Sequence, residues 1–286
     1  MRSPVNAAEF GAFAPGPLDR AVIAITSRLP DNWLGQRLAI LLRRATTMRL
    51  AYPAGALDVV RWGLRLRLHP RDNGCEKNLL FTPQMYEPVE LGFLEAQIDR
   101  AKAENRAFVF VDIGANVGLF SFFVAARAGA RARILAVEPE PGNLARMMFN
   151  LQANPGVAVR PIALALADAA GELAVDLHER DRGGTRTRKI DGKMAADETR
   201  IEARTLLQLM NDENVTAIDA LKIDVEGAED KILSPFFRDA PRSLWPRLIL
   251  IEDAHESWAT DLFSDLARIG FAVAARAKLN VILRRE

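Results

Sequence analysis

The sequence is poor in cysteine and in net charge, and both shortages exclude classes of protein. Cys75 is the single cysteine among 286 residues, so no disulfide can form within the chain and we expect a cytoplasmic location. The formal net charge is +1, which provides no strong field for nucleic acid or a membrane surface. The apolar runs are all too short to span a membrane, and Met1–Gly16 lacks the continuous apolar core of a signal peptide.

A strand, a tight turn and a helix are predicted in the middle of the chain. The apolar run Phe108–Val111 is typical of a buried parallel strand, and Leu119–Arg127 of a helix. Between them lies the sequence DIGANVG, whose small residues allow a sharp turn and the close approach of a ligand. The free N–H groups at the start of the helix would face that ligand. The candidate binding residues of this loop are Asp112, Gly114, Asn116 and Gly118.

An acid stands at the end of the next predicted strand. Ile134–Val137 is apolar and leads into Glu138, which follows Gly118 by 20 residues. At this spacing in a βαβ unit, an acid accepts hydrogen bonds from the hydroxyls of a ribose. We therefore predict that Glu138 binds the ribose of a nucleoside ligand.

Two kinds of ligand carry such a ribose. A dinucleotide needs the loop G-x-G-x-x-G, because the middle glycine lets its pyrophosphate approach the backbone. Here Asn116 replaces that glycine, and Asp112 would repel a phosphate while it could hold water or an ammonium group. Both departures favour S-adenosylmethionine, which has a ribose but no phosphate.

Three motifs together resemble one known family. They are DIGANVG, VEPEP and, at Leu221–Glu229, LKIDVEGAE. In this order they look like the FkbM-type S-adenosylmethionine-dependent methyltransferases, and the resemblance covers about Arg71 to Leu283. It implies an α/β, Rossmann-like class I methyltransferase fold, with a mostly parallel seven-stranded sheet and helices on both faces. It also implies O-methylation, often of a hydroxyl on a sugar or secondary metabolite. In this fold Leu164 would lie near the adenine of the cofactor, and Asp224 is a further candidate for binding the cofactor.

The chain is predicted to divide into an N-terminal extension, residues 1–70, and a methyltransferase domain, residues 71–286. The extension is expected to hold a mobile leader, amphipathic helices at Leu18–Leu29 and Trp33–Leu50, and a short hairpin at Asp58–His69. A basic amphipathic helix such as the second can bind a membrane surface or a partner. We expect it instead to pack on the core with its polar face solvated, and either to mediate homo-oligomerisation or to cover the substrate site.

The remaining elements alternate between strands and helices, as an α/β domain requires. The third core strand is predicted at Val157–Leu166 and the fourth at Ala220–Ile223, whereas Arg71–Pro88 has no clean period and is expected to begin as a loop. Asp181–Arg200 is a basic, glycine-containing insertion in the predicted domain. Loops at such positions often carry function, so this insertion is a candidate substrate lid.

Acids at the ends of the fourth and fifth predicted strands define the candidate catalytic site. Asp224 ends one strand and the pair Glu252 and Asp253 ends the next, where an open α/β sheet binds its ligands. This arrangement resembles the divalent-metal site of catechol-type O-methyltransferases, and three oxygen ligands would suit Mg²⁺. The alternative is that these acids bind backbone N–H groups and substrate hydroxyls without a metal. His255 follows them and is the candidate general base.

The favoured function is therefore an S-adenosylmethionine-dependent O-methyltransferase that acts on a small-molecule or glycan acceptor, with no nucleic acid partner. One alternative is a nicotinamide-dependent oxidoreductase, although the loop lacks the glycine it would need. A second alternative is a module that binds S-adenosylmethionine without catalysis.

Overall fold

The computed structural model describes residues 8–50, 55–176, 187–190, 194–195 and 198–285. Within these residues the chain forms two compact units. The first comprises Met1–Pro88 and Ala145–Pro155, and the second comprises Val89–Leu144, Gly156–His178 and Gly184–Glu286, each in its described parts. The predicted division between an N-terminal extension, residues 1–70, and a methyltransferase domain, residues 71–286, stays a prediction. The predicted mobile leader lies partly outside the described residues, which begin at residue 8.

The first unit contains the predicted helices and hairpin. Its elements are α1 Pro17–Thr26, α2 Trp33–Arg49, β1 Leu57–Arg61, β2 Leu64–Leu68 and α3 Gly74–Phe81. The strands β1 and β2 are antiparallel, and a two-residue turn with positive φ at Trp62 (52°) and Gly63 (82°) joins them. Such turns match the twist of paired strands, which explains why the Trp-Gly step interrupts the alternation of apolar residues.

The helix α3 follows a turn at residues 71–73, which confirms the prediction that Arg71–Pro88 begins as a loop. The side chain of Asn73 accepts a hydrogen bond from the backbone N–H of Glu76 at 3.0 Å and so caps the first turn. The helix ends in a fully buried apolar run, Leu79–Phe81. A helix of 8 residues shows little periodicity, so the capping residue Asn73 is a better sequence signal for α3 than the spacing of its apolar residues.

The second unit is built on one large sheet. Its elements in chain order are α4 Pro88–Ala103, β3 Phe108–Ile113, α5 Leu119–Ala128, β4 Ala132–Val137, α6 Pro141–Gln152, β5 Val159–Ile162, β6 Ala165–Leu166, β7 Gly171–Asp176, β8 Thr187–Lys189, β9 Glu198–Arg204, α7 Leu206–Asp212, β10 Ala220–Ile223, α8 Glu229–Asp239, β11 Leu248–Glu252, α9 Leu262–Arg268, β12 Phe271–Ala277 and β13 Asn280–Arg285. Of these elements, Pro88 of α4 and the part of α6 from Ala145 onward belong to the first unit.

The sheet has seven strands in the order β12-β13-β11-β10-β3-β4-β5. The five strands from β11 to β5 are parallel, and β13 is antiparallel to both of its neighbours. The carboxyl ends of β3, β4, β10 and β11 therefore meet at one edge. This topology confirms the predicted mostly parallel seven-stranded sheet.

Both faces of this sheet are covered. Alternate residues of the central strands, among them Val111, Ile223 and Ile251, pack into a core with α7, α8 and α9. The intervening residues, such as Phe110 and Leu250, are buried as well. Strands buried on both faces are apolar at successive positions, which is the pattern that identified β3 and β11 from sequence.

A smaller four-stranded sheet, in the order β6-β9-β7-β8, corrects the prediction of one continuous strand at Val157–Leu166. That stretch supplies β5 to the large sheet and β6 to the small one. Two stretches of the predicted lid, Thr187–Lys189 and the part from Glu198 onward, are strands of the small sheet. Residues 181–186, 191–193 and 196–197 of the lid lie outside the described part of the chain.

Membrane crossing is not indicated by any helix in the described ranges, since none is both long and apolar enough. The cellular location of the protein stays a prediction.

Candidate functional site

The loop after β3 turns through left-handed backbone conformations. Gly114, Asn116 and Gly118 have φ values of 71°, 54° and 81°. Glycine is needed at position 114 for steric reasons as well, because a Cβ atom there would lie only 1.9 Å from the carbonyl oxygen of Asp224. The backbone N–H of Asp224 in turn donates to the carbonyl of Ile113 at 3.1 Å. The loop after β3 and the end of β10 are therefore in direct backbone contact.

Glu138 closes this loop from the neighbouring strand. Its Oε2 accepts a hydrogen bond from the backbone N–H of Asn116 at 2.7 Å, and its Oε1 accepts one from Glu140 at 3.0 Å. The residue is 3% exposed. Burial raises the pKa of Glu138 to about 7, although the hydrogen bonds from Glu140, Asn116 and Asn143 oppose this shift. A carboxylate oxygen can accept more than one hydrogen bond, so Glu138 still has acceptor capacity for ribose hydroxyls.

Asp112, the last polar residue of β3, is buried beneath the loop. Its Oδ2 accepts a hydrogen bond from Ser121 Oγ at 2.7 Å, whereas Oδ1 has no hydrogen-bond partner among the described residues. Burial raises the pKa of Asp112, while the nearby Lys222 ammonium lowers it. An unpartnered buried oxygen is costly, and a cationic or N–H donor group in the ligand would satisfy it.

Lys222 is a site residue that the sequence analysis missed. It is 7% exposed, and its Nζ lies 3.0 Å from Asp224 Oδ2 and 5.1 Å from the centre of the Phe120 ring. Residues two apart in a strand point to the same face, so a lysine two residues before Asp224 was a usable signal. Lys222 supplies the positive charge that lets several acids share this edge of the sheet.

Glu252 lies at the end of β11 within this group of charges. Its Oε2 is buried and has no hydrogen-bond partner in the described part of the chain. Burial raises the pKa of Glu252 to about 7, and the negative charges of Asp224, Glu226 and Glu229 add to the shift. Glu252 is therefore half protonated near neutral pH and can donate as well as accept a hydrogen bond there.

Asp253 and His255 form a hydrogen-bonded pair just beyond β11. His255 Nδ1 lies 2.6 Å from Asp253 Oδ1, and Arg276 donates to Asp253 Oδ2 at 2.9 Å. An ionised carboxylate can only accept hydrogen bonds, so Nδ1 carries the hydrogen. In the neutral imidazole the lone pair is then on Nε2. The His255 side chain is 62% exposed, so it is open to a molecule from solvent.

The predicted Mg²⁺ site does not fit this arrangement. The Asp253 carboxylate is occupied by His255 and Arg276, and the Asp224 carboxylate is bonded to the Lys222 ammonium. Among the described residues, no group of three or more Asp, Glu, His or Cys side chains could hold a metal ion. We therefore derive no step through a metal at Asp224, Glu252 and Asp253.

Glu229 is structural. Its Oε1 accepts hydrogen bonds from the backbone N–H groups of Val225 and Gly227 at 3.0 and 3.3 Å, and its Oε2 accepts one from Trp258 Nε1 at 2.8 Å. A Cβ at Gly227 would lie 2.9 Å from Ser257 Cβ, so the loops after β10 and β11 touch. Both oxygens are used within the protein, so Glu229 supports these loops.

Leu164, predicted to lie near the adenine, is 5% exposed and belongs to the core that lies against α7, α8 and α9. Its contact with a cofactor stays a prediction.

The seven-stranded sheet, with a glycine-containing loop after β3 and an acid after β4, defines the class I methyltransferase fold. The model of the methyltransferase FkbM domain matches residues 112–269, which is more than half of the 286 residues. The chain belongs to this family and is an S-adenosylmethionine-dependent methyltransferase.

Three known proteins illustrate the similarity. The AMB antimetabolite synthetase AmbE of Pseudomonas aeruginosa is 30% identical over 209 residues, which are 59% of this chain and 10% of AmbE. The methyltransferase sdnD of Sordaria araneosa is 28% identical over 196 residues, which are 53% of this chain and 75% of sdnD. This chain thus spans about a tenth of AmbE and three quarters of sdnD. The N-terminal domain of human METTL16 in complex with SAH has 13% identity and a TM-score of 0.42, covering 93% of this chain and 81% of that domain.

Proposed function

We propose that the protein transfers a methyl group from S-adenosylmethionine to a hydroxyl of a sugar, glycan or secondary metabolite. The observation that carries this proposal is the Asp253–His255 pair, which lies just beyond β11. The carboxyl end of β11 is at the same edge of the sheet as the loop after β3. A hydroxyl acceptor loses a proton when it is methylated. The pair is chemically suited to take that proton.

The residues beside the loop fit the donor. Glu138 would hold the ribose hydroxyls, and Asp112, with its unpartnered Oδ1, would receive a donor N–H or ammonium group. Gly114, Asn116 and Gly118 leave the loop backbone without bulky side chains. When bound, S-adenosylmethionine supplies a methyl group on a positively charged sulfur, which makes a neutral thioether the leaving group.

His255 is proposed as the general base. Asp253 keeps the hydrogen on Nδ1, so Nε2 can accept the proton of the acceptor hydroxyl, and Asp253 then stabilises the imidazolium. Arg276 holds the other oxygen of Asp253 and so fixes the orientation of the carboxylate. This assigns Asp253 a positioning role in place of the predicted metal ligation.

Asp224 and Glu252 are proposed to bind other hydroxyls of the acceptor. Asp224, paired with the Lys222 ammonium, would accept hydrogen bonds, while Glu252 can act as either donor or acceptor near neutral pH. Such paired acids suit a polyol, because each hydroxyl both donates and accepts. The name of AmbE, an antimetabolite synthetase, supports the secondary-metabolite class of acceptor.

The test is methyl transfer from labelled S-adenosylmethionine to a panel of sugars, glycans, phenols and natural-product alcohols. With an active acceptor, His255→Ala is expected to lower kcat by about 10² to 10⁴ because general-base catalysis is lost. The affinity for the donor should stay unchanged in calorimetry. Glu256→Gln, in the same short helix as His255, is the matched control and should keep full activity.

Full activity of the His255→Ala enzyme would refute the assigned base. Transfer to an amine or to RNA, each tested beside the panel, with none to the hydroxyls of the panel, would refute the acceptor class. Transfer to RNA would also refute the prediction that nucleic acid is not a partner. Donor binding without turnover on the whole panel would favour a non-catalytic module. Family membership already argues against a nicotinamide-dependent oxidoreductase.

A further inference from the structure

The helix α2 buries its small residues and exposes its large apolar ones. The residues that it buries are Gly35, Ala39 and Thr46. Trp33 is 66% exposed, and Leu41 is 68% exposed. The prediction that this helix packs its apolar side chains on the core is therefore wrong, because its small residues let the helix backbone lie close to the rest of the unit.

Four of the exposed apolar residues of α2 form one stripe. Leu34, Leu38, Leu41 and Met48 follow one another by four, three and seven residues, which places them on a single side of a helix. Their exposed fractions are 64%, 40%, 68% and 72%. Contiguous apolar surface of this kind marks an interaction site more often than free surface does.

The charge of α2 is of one sign. The helix contains Arg37, Arg43, Arg44 and Arg49 and no acidic residue. Arg49 pairs with Asp19 and Arg43 donates to Asn78. Arg37 and Arg44 each lie three residues after a leucine of the stripe, which places them beside it. Neither forms an ion pair with a carboxylate of the described residues.

This charge decides between two occupants of the stripe. In a two-fold dimer each copy of α2 would meet the same surface of its partner, and the arginines beside the stripe would face arginines. Like charges brought together in this way disfavour the contact. An anionic bilayer offers the opposite charge and also takes up apolar side chains such as Trp33 and Leu41 at the level of its headgroups.

We propose that α2 docks the protein on the surface of an anionic lipid bilayer, with the apolar stripe between the headgroups and Arg37 and Arg44 against lipid phosphates. The helix lies along the surface and does not cross it. Its 17 residues would be about 26 Å long, and four arginines are too many for a membrane span. This docking is independent of the proposed acceptor, although it would bring the enzyme close to lipid-linked substrates.

The test is co-sedimentation of the full chain with vesicles of phosphatidylcholine alone and of phosphatidylcholine with phosphatidylglycerol at a three-to-one ratio. We expect at least tenfold tighter binding to the anionic vesicles, weakened by added salt. Leu34→Glu combined with Leu41→Glu should abolish it. Leu279→Glu is the matched control, since Leu279 is 67% exposed on a different surface turn, and this variant should bind as the parent does.

A second pair of substitutions separates charge from folding. Arg37→Gln with Arg44→Gln should weaken anionic binding roughly 25-fold, since each basic residue at such a surface contributes about a factor of five. Binding of S-adenosylmethionine should stay unchanged in every variant. Equal binding to both kinds of vesicle, or none to either, overturns the proposal. So does a dimer in light scattering that Leu41→Glu dissociates, because the stripe would then bind a second copy.

Discussion

Replacing Gly114 by alanine tests the backbone contact on which the site depends. A side chain at φ of +71° costs about 1–2 kcal/mol in the left-handed region. In addition, the new Cβ would lie 1.9 Å from the carbonyl oxygen of Asp224, so the loop after β3 and the end of β10 must move apart. Overpacking of this kind costs about 1–3 kcal/mol. We therefore expect a loss of about 2–5 kcal/mol in the free energy of unfolding.

The matched control is Gly270→Ala in the same unit. Gly270 has a φ of +103°, and a Cβ there would meet nothing within 4 Å. This variant should lose only the conformational part, about 1–2 kcal/mol, and should bind S-adenosylmethionine as the parent does. Gly114→Ala should bind the donor at least tenfold more weakly, because its loop is displaced.

The measurements are urea unfolding, followed by tryptophan fluorescence, and titration calorimetry with S-adenosylmethionine. If the two alanine variants lose equal stability and both keep full donor affinity, then contact with the Asp224 carbonyl is not what requires glycine at position 114. That result would refute the reasoning even if both variants were destabilised, because only the difference between them reports the contact.

Three further outcomes are expected. Because burial raises the pKa of Glu138 to about 7, its carboxyl is mostly protonated at pH 6 and ionised at pH 8. The affinity for S-adenosylmethionine should therefore rise by up to about tenfold over that range. In Glu138→Gln this part of the pH dependence should vanish, and its persistence would remove Glu138 from the donor site. Exhaustive chelation with EDTA should leave turnover intact, because Lys222 and Arg276 already neutralise Asp224 and Asp253; loss of activity that Mg²⁺ restores would revive the metal site. Asp224→Ala should abolish turnover and keep most donor binding, whereas a fully active variant would exclude Asp224 from the acceptor site.

The large sheet could be predicted because its signals are local. A buried strand such as β3 is apolar at successive positions, and the residues that end it stand next to it in sequence. Asp112, Glu138 and Asp224 are therefore found at strand ends by reading along the chain. The same holds for the loop at Gly114, whose glycine is required by backbone geometry.

The remaining parts depend on contacts between residues far apart in sequence. The small sheet pairs β6 with β9 and β9 with β7, and no local pattern indicates that Ala165 pairs with Ala203. The role of Asp253 could not be predicted because it depends on Arg276, a residue of β12. Arg276 forms an ion pair with the carboxylate that was predicted to bind Mg²⁺. For α2, spacing identified the apolar stripe but could not tell which side of the helix the rest of the unit covers.

The three hydrogen bonds that Glu229 accepts have a consequence for how acceptor preference could change in evolution. One carboxylate holds the turn at Val225 and Gly227 together with Trp258, so the two loops rest on a common support. The more exposed residues of these loops, such as Glu226, contribute nothing to that support through the Glu229 carboxylate. Substitutions there can alter which molecules are accepted while the framework that holds Asp224 and His255 stays in place. Relatives with different acceptors are thus expected to differ at these more exposed positions and to share the carboxylate beneath.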